Sequence, residues 1–350
     1  MNIETTHKAK LASPPLPAIW FPTIKAGSGV DIFTIQLVKE LNKRGIRAEI
    51  QWLPHHAEYF PLMLKTLKVP AWVNITHINS WFPSSLLPSK CNIVTTFHTC
   101  VHDSTLSPYK SILQKLYHAI WVKRNEAINI KKSCALTAVS KYTAIVVEKT
   151  FKPKKDILPI YNWIEEGQFY RRSKEKPQHP FKLLFVGKLR PLKGADILTQ
   201  IMQNLGEDYQ LTIAGDSSDN LSNSAPNIIY KGKVPREELL NIYNEADAFL
   251  FPSRLEGCCL SILEAQYCGL PIITSDTSSM PEIVNESCGF LCETENISAY
   301  TSKIRLLAKN HGVYNKLSSG ALRNSSLYCG NVAVNKYISI YKGLLKTQES

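Results

Sequence analysis

Short apolar runs alternate with helix-spaced segments along most of this 350-residue chain, and that alternation restricts the fold more than any other feature. Pro17–Pro22 reads as a first strand, followed by apolar runs at 48–53, 72–78, 92–97 and 136–139. Val30 to Arg44 reads as a helix with Ile32, Ile35, Leu37 and Leu41 inward, closed by Gly45. Strands that alternate with helices imply a parallel sheet wrapped on both faces, so the expected class is α/β. The stretch from Gln168 to Pro180 is polar and broken by prolines, a fresh strand at Phe181–Val186 follows it, and the alternation then repeats to Leu345. Two domains of ordinary size are expected, the first over 1–170 and the second from 171 to 330. Open parallel sheets bind ligands at the carboxyl ends of their strands, so two facing sheets would hold one substrate apiece across a cleft.

The stretch from Phe251 to Pro271 carries the most chemistry. Ala248–Pro252 suits a buried strand, while Leu260, Leu263, Glu264 and Tyr267 fall at helical spacing before Gly269 and Pro271 stop the helix. Free amides at the first turn, around Cys258, Cys259 and Leu260, carry partial positive charge and suit a diphosphate. Glu256 precedes that turn and Glu264 lies about a turn inside it, where carboxylates can grip sugar and ribose hydroxyls. The plainer alternative makes Glu256 a helix-start carboxylate and Glu264 a solvated residue on the outer face.

Composition narrows the setting. No run of eighteen apolar residues exists, Met1–Lys10 lacks the apolar core of a signal peptide, and nine cysteines without paired spacing fit a reducing compartment. A cytoplasmic protein is expected. Residues 1–180 carry 25 Lys plus Arg against 12 Asp plus Glu, whereas residues 181–350 carry 16 against 17. The whole positive surplus lies in the first half and points to a phosphate-bearing partner. Without a nucleic-acid motif, an anionic membrane surface or a phosphorylated lipid leads. Lys110, Lys115, Lys123, Arg124, Lys131 and Lys132, interleaved with Tyr117, Trp121 and Ile128, could form a basic amphipathic helix on lipid, or simply a solvated surface helix.

Glu256 and Glu264 at their seven-residue separation, followed by Cys268-Gly269-Leu270-Pro271, resemble the signature of retaining GT-B glycosyltransferases of glycosyltransferase family 4. The segment from Phe185 to Gly194 resembles the family's phosphate-binding strand and loop. Ile213-Ala-Gly215-Asp, Gly232-Lys233-Val234 and Ala246–Pro252 resemble its base-pocket elements. Val139-Ser140 and Tyr161–Glu165 match weaker signposts, and the likeness runs over residues 18 to 295, looser before residue 130. It implies two Rossmann-like domains facing across a cleft, acceptor on the first and donor on the second, with a last helix within 331–350 crossing back to the first domain.

The resemblance assigns roles residue by residue. Lys188 and Lys193 would neutralise a leaving diphosphate, with Arg190 able to replace Lys188, where the family usually has arginine. Gly27, Ser28 and Gly29 would offer amides to the same diphosphate from the first domain, although a plain strand-to-helix turn explains them equally. His98 resembles the family histidine near the transferred sugar, with a buried structural histidine as the alternative. Gly215, Lys233 and Val234 would lie by the base, and Gly257, Cys258, Cys259 and Leu260 by the diphosphate. Cys259 stands where the family usually has glycine, which would narrow the sugar pocket and place a thiol of lowered pKa, or a merely structural one, at a helix start.

No metal or other cofactor is expected, the nucleotide sugar being a co-substrate, since there is no Asp-x-Asp and His98-x-Cys100-x-His102-Asp103 has no second ligand cluster behind it. The expected activity is transfer of a sugar from a UDP- or GDP-sugar to a saccharide acceptor, lipid-linked, in surface-polysaccharide synthesis (lipopolysaccharide, O-antigen or capsule), with no nucleic acid as partner. The protein would then sit peripherally on the inner face of the cytoplasmic membrane. A non-hydrolysing sugar-nucleotide epimerase and a non-catalytic glycan- or lipid-binding protein with a degenerate site are the alternatives.

Overall fold

The alternation resolves into two parallel sheets of six strands each. The structure is a computed structural model that describes residues 15–25, 27–61, 67–89, 91–172, 179–216 and 225–346. The first domain runs β1 (Ala18–Ile24), α1 (Gly29–Lys43), β2 (Arg47–Leu53), β3 (Ile75–Asn79), β4 (Asn92–Phe97), α2 (Ile112–Tyr117), α3 (Lys123–Lys132), β5 (Ala135–Ala138), α4 (Lys141–Phe151) and β6 (Ile157–Pro159). The second runs β7 (Phe181–Val186), α5 (Ala195–Leu205), β8 (Tyr209–Ala214), β9 (Ile228–Gly232), α6 (Arg236–Glu245), β10 (Ala248–Phe251), α7 (Leu260–Tyr267), β11 (Ile272–Ser275), α8 (Met280–Ile283), β12 (Gly289–Cys292), α9 (Ile297–Lys309) and α10 (His311–Ser325). A last helix, α11 (Gly330–Lys346), follows. Of the polar stretch read as a linker, residues 173–178 lie outside the described residues.

Strand order places the site. The first sheet reads β2-β1-β3-β4-β5-β6 and the second β12-β11-β10-β7-β8-β9. Each reverses direction of winding once, between β1 and β3 in the first and between β7 and β10 in the second. At such a switch point the loops leaving the two strands diverge to opposite faces and open a crevice at their carboxyl ends. The residues after β1 lie at the first switch point and those after β7 and β10 at the second, and the close approach of Gly257 to His98, which follows β4, brings the two together.

Packing explains the helices. Ile19 and Phe21 of β1, Ile75 and Val94 form one core with Phe33, Leu37 and Leu41 of α1 and with Val334, Tyr337 and Tyr341 of α11. The inward row of α1 is thus Phe33, Leu37 and Leu41, one turn apart, while Ile35 is 49% exposed and Ile32 half-buried, contrary to the expected Ile32 and Ile35. The cause is α11, which covers that flank and sets the Tyr337 ring 5.9 Å from Phe33. Buried His77 pins α11 further, its ring nitrogens lying 2.6 Å from the Tyr341 hydroxyl and 2.7 Å from Thr96 Oγ1. The last helix does cross back onto the first domain, where each fully buried side chain of this size contributes about 2 kcal/mol.

Glu282 of α8 ties the domains on the other side. Its carboxylate accepts from the backbone N–H of Lys141 at 2.9 Å and of Tyr142 at 2.6 Å, and from the Tyr161 hydroxyl at 2.8 Å. A second-domain acid thus satisfies first-turn amides of a first-domain helix, where negative charge is favoured.

Candidate active site

The loops after β7 and β10 are built around each other. Gly194 has φ +72°, and a Cβ added there would meet the Pro252 carbonyl oxygen at 2.1 Å, so only glycine lets the two loops approach. Arg254 N–H donates to the Leu192 carbonyl at 2.9 Å, and Ser253 Oγ lies 3.2 Å from the same oxygen. This approach pairs the Lys193 ammonium with the Glu256 carboxylate, which also accepts from Ser253 Oγ at 2.9 Å. The Glu256 backbone N–H donates to Ser278 Oγ at 3.0 Å. Lys193 additionally lies over the Phe251 ring, 5.9 Å from its centre.

The first domain meets this structure with its backbone. A Cβ on Gly257 would fall 1.8 Å from the His98 carbonyl oxygen, and one on Gly29 would stand 3.5 Å from Leu260 Cδ1 at the start of α7. Asn162 Nδ2 donates to the Cys258 carbonyl at 3.0 Å. The Gly27–Gly29 turn, His98 and the amino end of α7 thus line one crevice. Gly27 N–H is bound by Asp31 Oδ2 at 2.7 Å, and Ser28 starts α1 without a side-chain cap.

His98 Nε2 lies 3.0 Å from Asn79 Oδ1 and its ring packs edge-on against Phe33 at 4.7 Å. Burial pulls its pKa down to about 3, so the imidazole is neutral and can exchange hydrogen bonds but not serve as a cation. The neighbouring His102 is paired with buried Glu126 at 3.0 Å.

The remaining site residues spread outward from the crevice. Lys188, Arg190 and Lys233 are exposed and Val234 half-buried. A Cβ on Gly215 would strike the Gly187 carbonyl at 1.8 Å, and Gly215 N–H donates to the Gly232 carbonyl at 2.8 Å, so the loops bearing Lys188 and Lys233 are held side by side. Glu264 is buried, 3% exposed, and is not the solvated outer-face residue of the plainer reading. It accepts from the Tyr243 hydroxyl at 2.8 Å and pairs with Arg236 at 3.1 Å. Burial raises its pKa, opposed by Arg236.

The Cys259 thiol is not acidified by its place at the helix start. Burial first and then the nearby Glu256 charge push it up to about 12, overriding the helix-start position. Its sulfur lies 3.2 Å from Ser261 Oγ.

Residues 167–323 match the family model described as Glycosyl transferases group 1. This match takes in most of the second domain, so the stretch from 167 to 323 is a group 1 glycosyl transferase domain. The chain is 26% identical over 313 residues, 81% of its length and 82% of the other's, to an uncharacterized 41.2 kDa protein in the cps region of Klebsiella pneumoniae. It is 24% identical over 228 residues, 64% of its length and 57% of the other's, to N,N'-diacetylbacillosaminyl-diphospho-undecaprenol alpha-1,3-N-acetylgalactosaminyltransferase of Campylobacter jejuni. Its fold is GT-B, shared with HepE of Anabaena, solved in complex with UDP and glucose, at a TM-score of 0.72 and 15% identity over 92% of this chain and 98% of that one.

Several residues around the signature carry no sequence signal of their own. Ser253, Ser278, Asn162, Tyr243 and Arg236 all contact the signature residues, but each does so through the fold. Only Ser253, three residues before Glu256, could have been suspected from spacing.

Proposed function

We propose that the enzyme is a retaining transferase that moves a sugar from a UDP- or GDP-sugar to a lipid-linked saccharide, in the synthesis of a surface polysaccharide such as capsule or O-antigen. The observation that carries this reading is the paired Lys193 and Glu256 at the amino end of α7, with the Gly27–Gly29 turn and His98 closing on the same helix end. A diphosphate set at that end would meet the amino end of α7 and the Lys193 charge, with Lys188 or Arg190 able to reach it from solvent. Glu256, released from Lys193 by the phosphates, is then free to grip hydroxyls of the transferred sugar. Glu264 would grip the ribose, sharing its carboxylate with Arg236 and Tyr243.

Both signature carboxylates, Glu256 and Glu264, are already paired with cations, and neutral His98 is a poor proton acceptor at a pKa near 3. The reading in which departing phosphate helps take the acceptor proton, with retention through an oxocarbenium-like transition state, therefore fits best. The protein in a cps region and the diphospho-undecaprenol transferase support the pathway and the lipid-linked acceptor, and the UDP complex of HepE supports the donor class. The surplus of cations in residues 1–180 supports peripheral attachment to the inner face of the membrane. No helix among the described residues is long and apolar enough to cross a bilayer.

The test is a screen of nucleotide sugars for release of UDP or GDP, without and then with saccharide acceptors. Release that needs an acceptor supports the reading. Conversion of the donor with no acceptor, or no release from any donor, removes it in favour of an epimerase or a binding protein.

A further inference from the structure

The segment from Ser104 to Lys132 presents a surface that the donor chemistry does not use. α2 begins at a capping box, with Ser111 Oγ accepting from Gln114 N–H at 3.2 Å and Gln114 Oε1 accepting from Ser111 N–H at 3.0 Å. It runs through one π-helical turn, His118–Val122, into α3. One face is anchored: the Tyr117 hydroxyl donates to Glu58 Oε1 and Trp121 Nε1 to the Glu58 carbonyl, both at 3.1 Å. Val122 packs with Val101, Leu106 and Leu255 of the second domain. The aromatic residues expected to face lipid therefore face protein.

The opposite face is open to solvent among the described residues. Ile112 is 84% exposed, Leu113 78%, Leu116 56% and Ile120 62%. Ile112, Leu116 and Ile120 recur every fourth residue and form one stripe with Leu113. Tyr59, whose ring lies 5.6 Å from that of Tyr117, and Phe60, 63% exposed, directly follow Glu58, on which this helix is anchored. An isolated exposed leucine is ordinary, but a preformed helix turning its four large aliphatic side chains outward is not.

Charge selects the occupant. Between Ser104 and Lys132 the one carboxylate is Glu126, buried and bonded to His102, while Lys115, Lys123, Arg124, Lys131 and Lys132 are exposed. A second copy would bring the same cations against these. A layer of anionic headgroups over hydrocarbon satisfies both the stripe and its rim.

We infer that the stripe Ile112, Leu113, Leu116 and Ile120 inserts into an anionic lipid surface and docks the enzyme there. The stripe lies on the same helix as Val122, which packs on Leu255 beside Glu256, so docking would bring the mouth of the cleft to an acceptor carried in the membrane. This rests on the lipid-linked acceptor proposed above.

The full chain, Leu113→Gln/Leu116→Gln and Lys115→Gln/Lys123→Gln are co-sedimented with phosphatidylcholine vesicles with and without phosphatidylglycerol, at low and high salt. The native enzyme should prefer the anionic vesicles. The leucine pair should lower its partition about 30-fold at either salt, and the lysine pair about tenfold at low salt and little at high salt. Native-like partition by the leucine pair overturns the inference, as does a native enzyme that binds neither vesicle. A marked fall in melting temperature of the leucine pair also overturns it, because the face would then be covered by protein. So does loss of a dimer without loss of vesicle binding, which would make the partner a second copy. Nucleotide release measured without vesicles should be unchanged in both variants. Its absence from the native enzyme would count against the donor reading alone.

Discussion

Replacing Gly257 by alanine should open the cleft without unfolding either domain. A Cβ there lies 1.8 Å from the His98 carbonyl oxygen and 3.2 Å from Thr99 Oγ1, whereas ordinary contact begins at 3.4 Å. The His98 backbone must therefore retreat by about 1.6 Å, the difference between 3.4 and 1.8 Å. Neither a bent side chain nor a rotamer change relieves this, since the obstacle is main chain. A misplacement of an ångström or more between reacting groups costs about 10²-fold in rate, or roughly 2.7 kcal/mol of transition-state binding. The contrast is Gly45→Ala, at φ +73° with nothing within 4 Å, which should cost about 1–2 kcal/mol of stability from the left-handed backbone and leave catalysis alone. Both variants are followed by kcat/KM for nucleotide release and by thermal melting. Gly257→Ala turning over within about threefold of native, or Gly45→Ala losing as much activity as Gly257→Ala, would refute the interdomain account.

Three further outcomes follow from the geometry. Lys193→Met and Glu256→Gln should each lower turnover by about 10²–10³-fold, and because the two groups are paired the double variant should lose less than the product; strict additivity would contradict the pairing. Glu282→Ala strips an acceptor from Lys141 N–H, Tyr142 N–H and the Tyr161 hydroxyl, and should lower the urea midpoint by the equivalent of about 1–3 kcal/mol, an unchanged midpoint counting against the clamp. Burial holds the pKa of His77 near 3 in the folded protein against about 6.5 when unfolded, so its contribution is complete above pH 6.5 and declines as pH falls. By pH 5 that loss is about 2 kcal/mol, and His77→Gln, though less stable throughout, should show a flatter dependence of unfolding free energy on pH over this window.

The sheets were legible where a strand is buried on both faces. Asn92–Phe97 and Phe181–Val186 read from the sequence with the bounds they have in the fold, because short runs so rich in β-branched and aromatic residues suit a strand better than a helix. The rotation of α1 was not legible, since Ile32, Ile35, Leu37 and Leu41 also make a helical stripe and only the return of α11 selects Phe33, Leu37 and Leu41. Within the site, the signature order located Lys193 and Glu256, but nothing local says that Glu264 is buried against Tyr243 and Arg236. Gly257 reads as a loop glycine and Glu282 as a short-helix carboxylate until the opposite domain is present. The outward stripe of α2 is hidden in the sequence for the same reason: Tyr117 and Trp121 offer as much apolar surface as Leu113 and Leu116, and the position of Glu58 decides which row turns inward.

The pairing of Lys193 with Glu256 raises the question of what keeps their loops in place once a diphosphate draws Lys193 away. The answer lies in Arg254, 5% exposed, whose guanidinium donates to Asp196 at 2.6 and 2.9 Å, to both oxygens of Glu295 and to the Pro191 carbonyl. One planar fork therefore joins the β7 loop, the first turn of α5 and the segment after β12, one residue before Leu255 and two before Glu256. Arg254→Lys retains the charge but cannot hold two carboxylates and a carbonyl in those directions. Asp196 and Glu295 are each about half exposed, so solvent screens the ionic part and the lost stability should be modest, about 1 kcal/mol. The loss of order at Glu256 should be felt in the chemical step instead, with kcat down about tenfold or more and KM for the donor nearly unchanged. If Arg254→Lys raises KM at constant kcat, the guanidinium serves donor binding rather than the frame, and the rigidity ascribed to these loops must come from Gly194 and Ser253 alone.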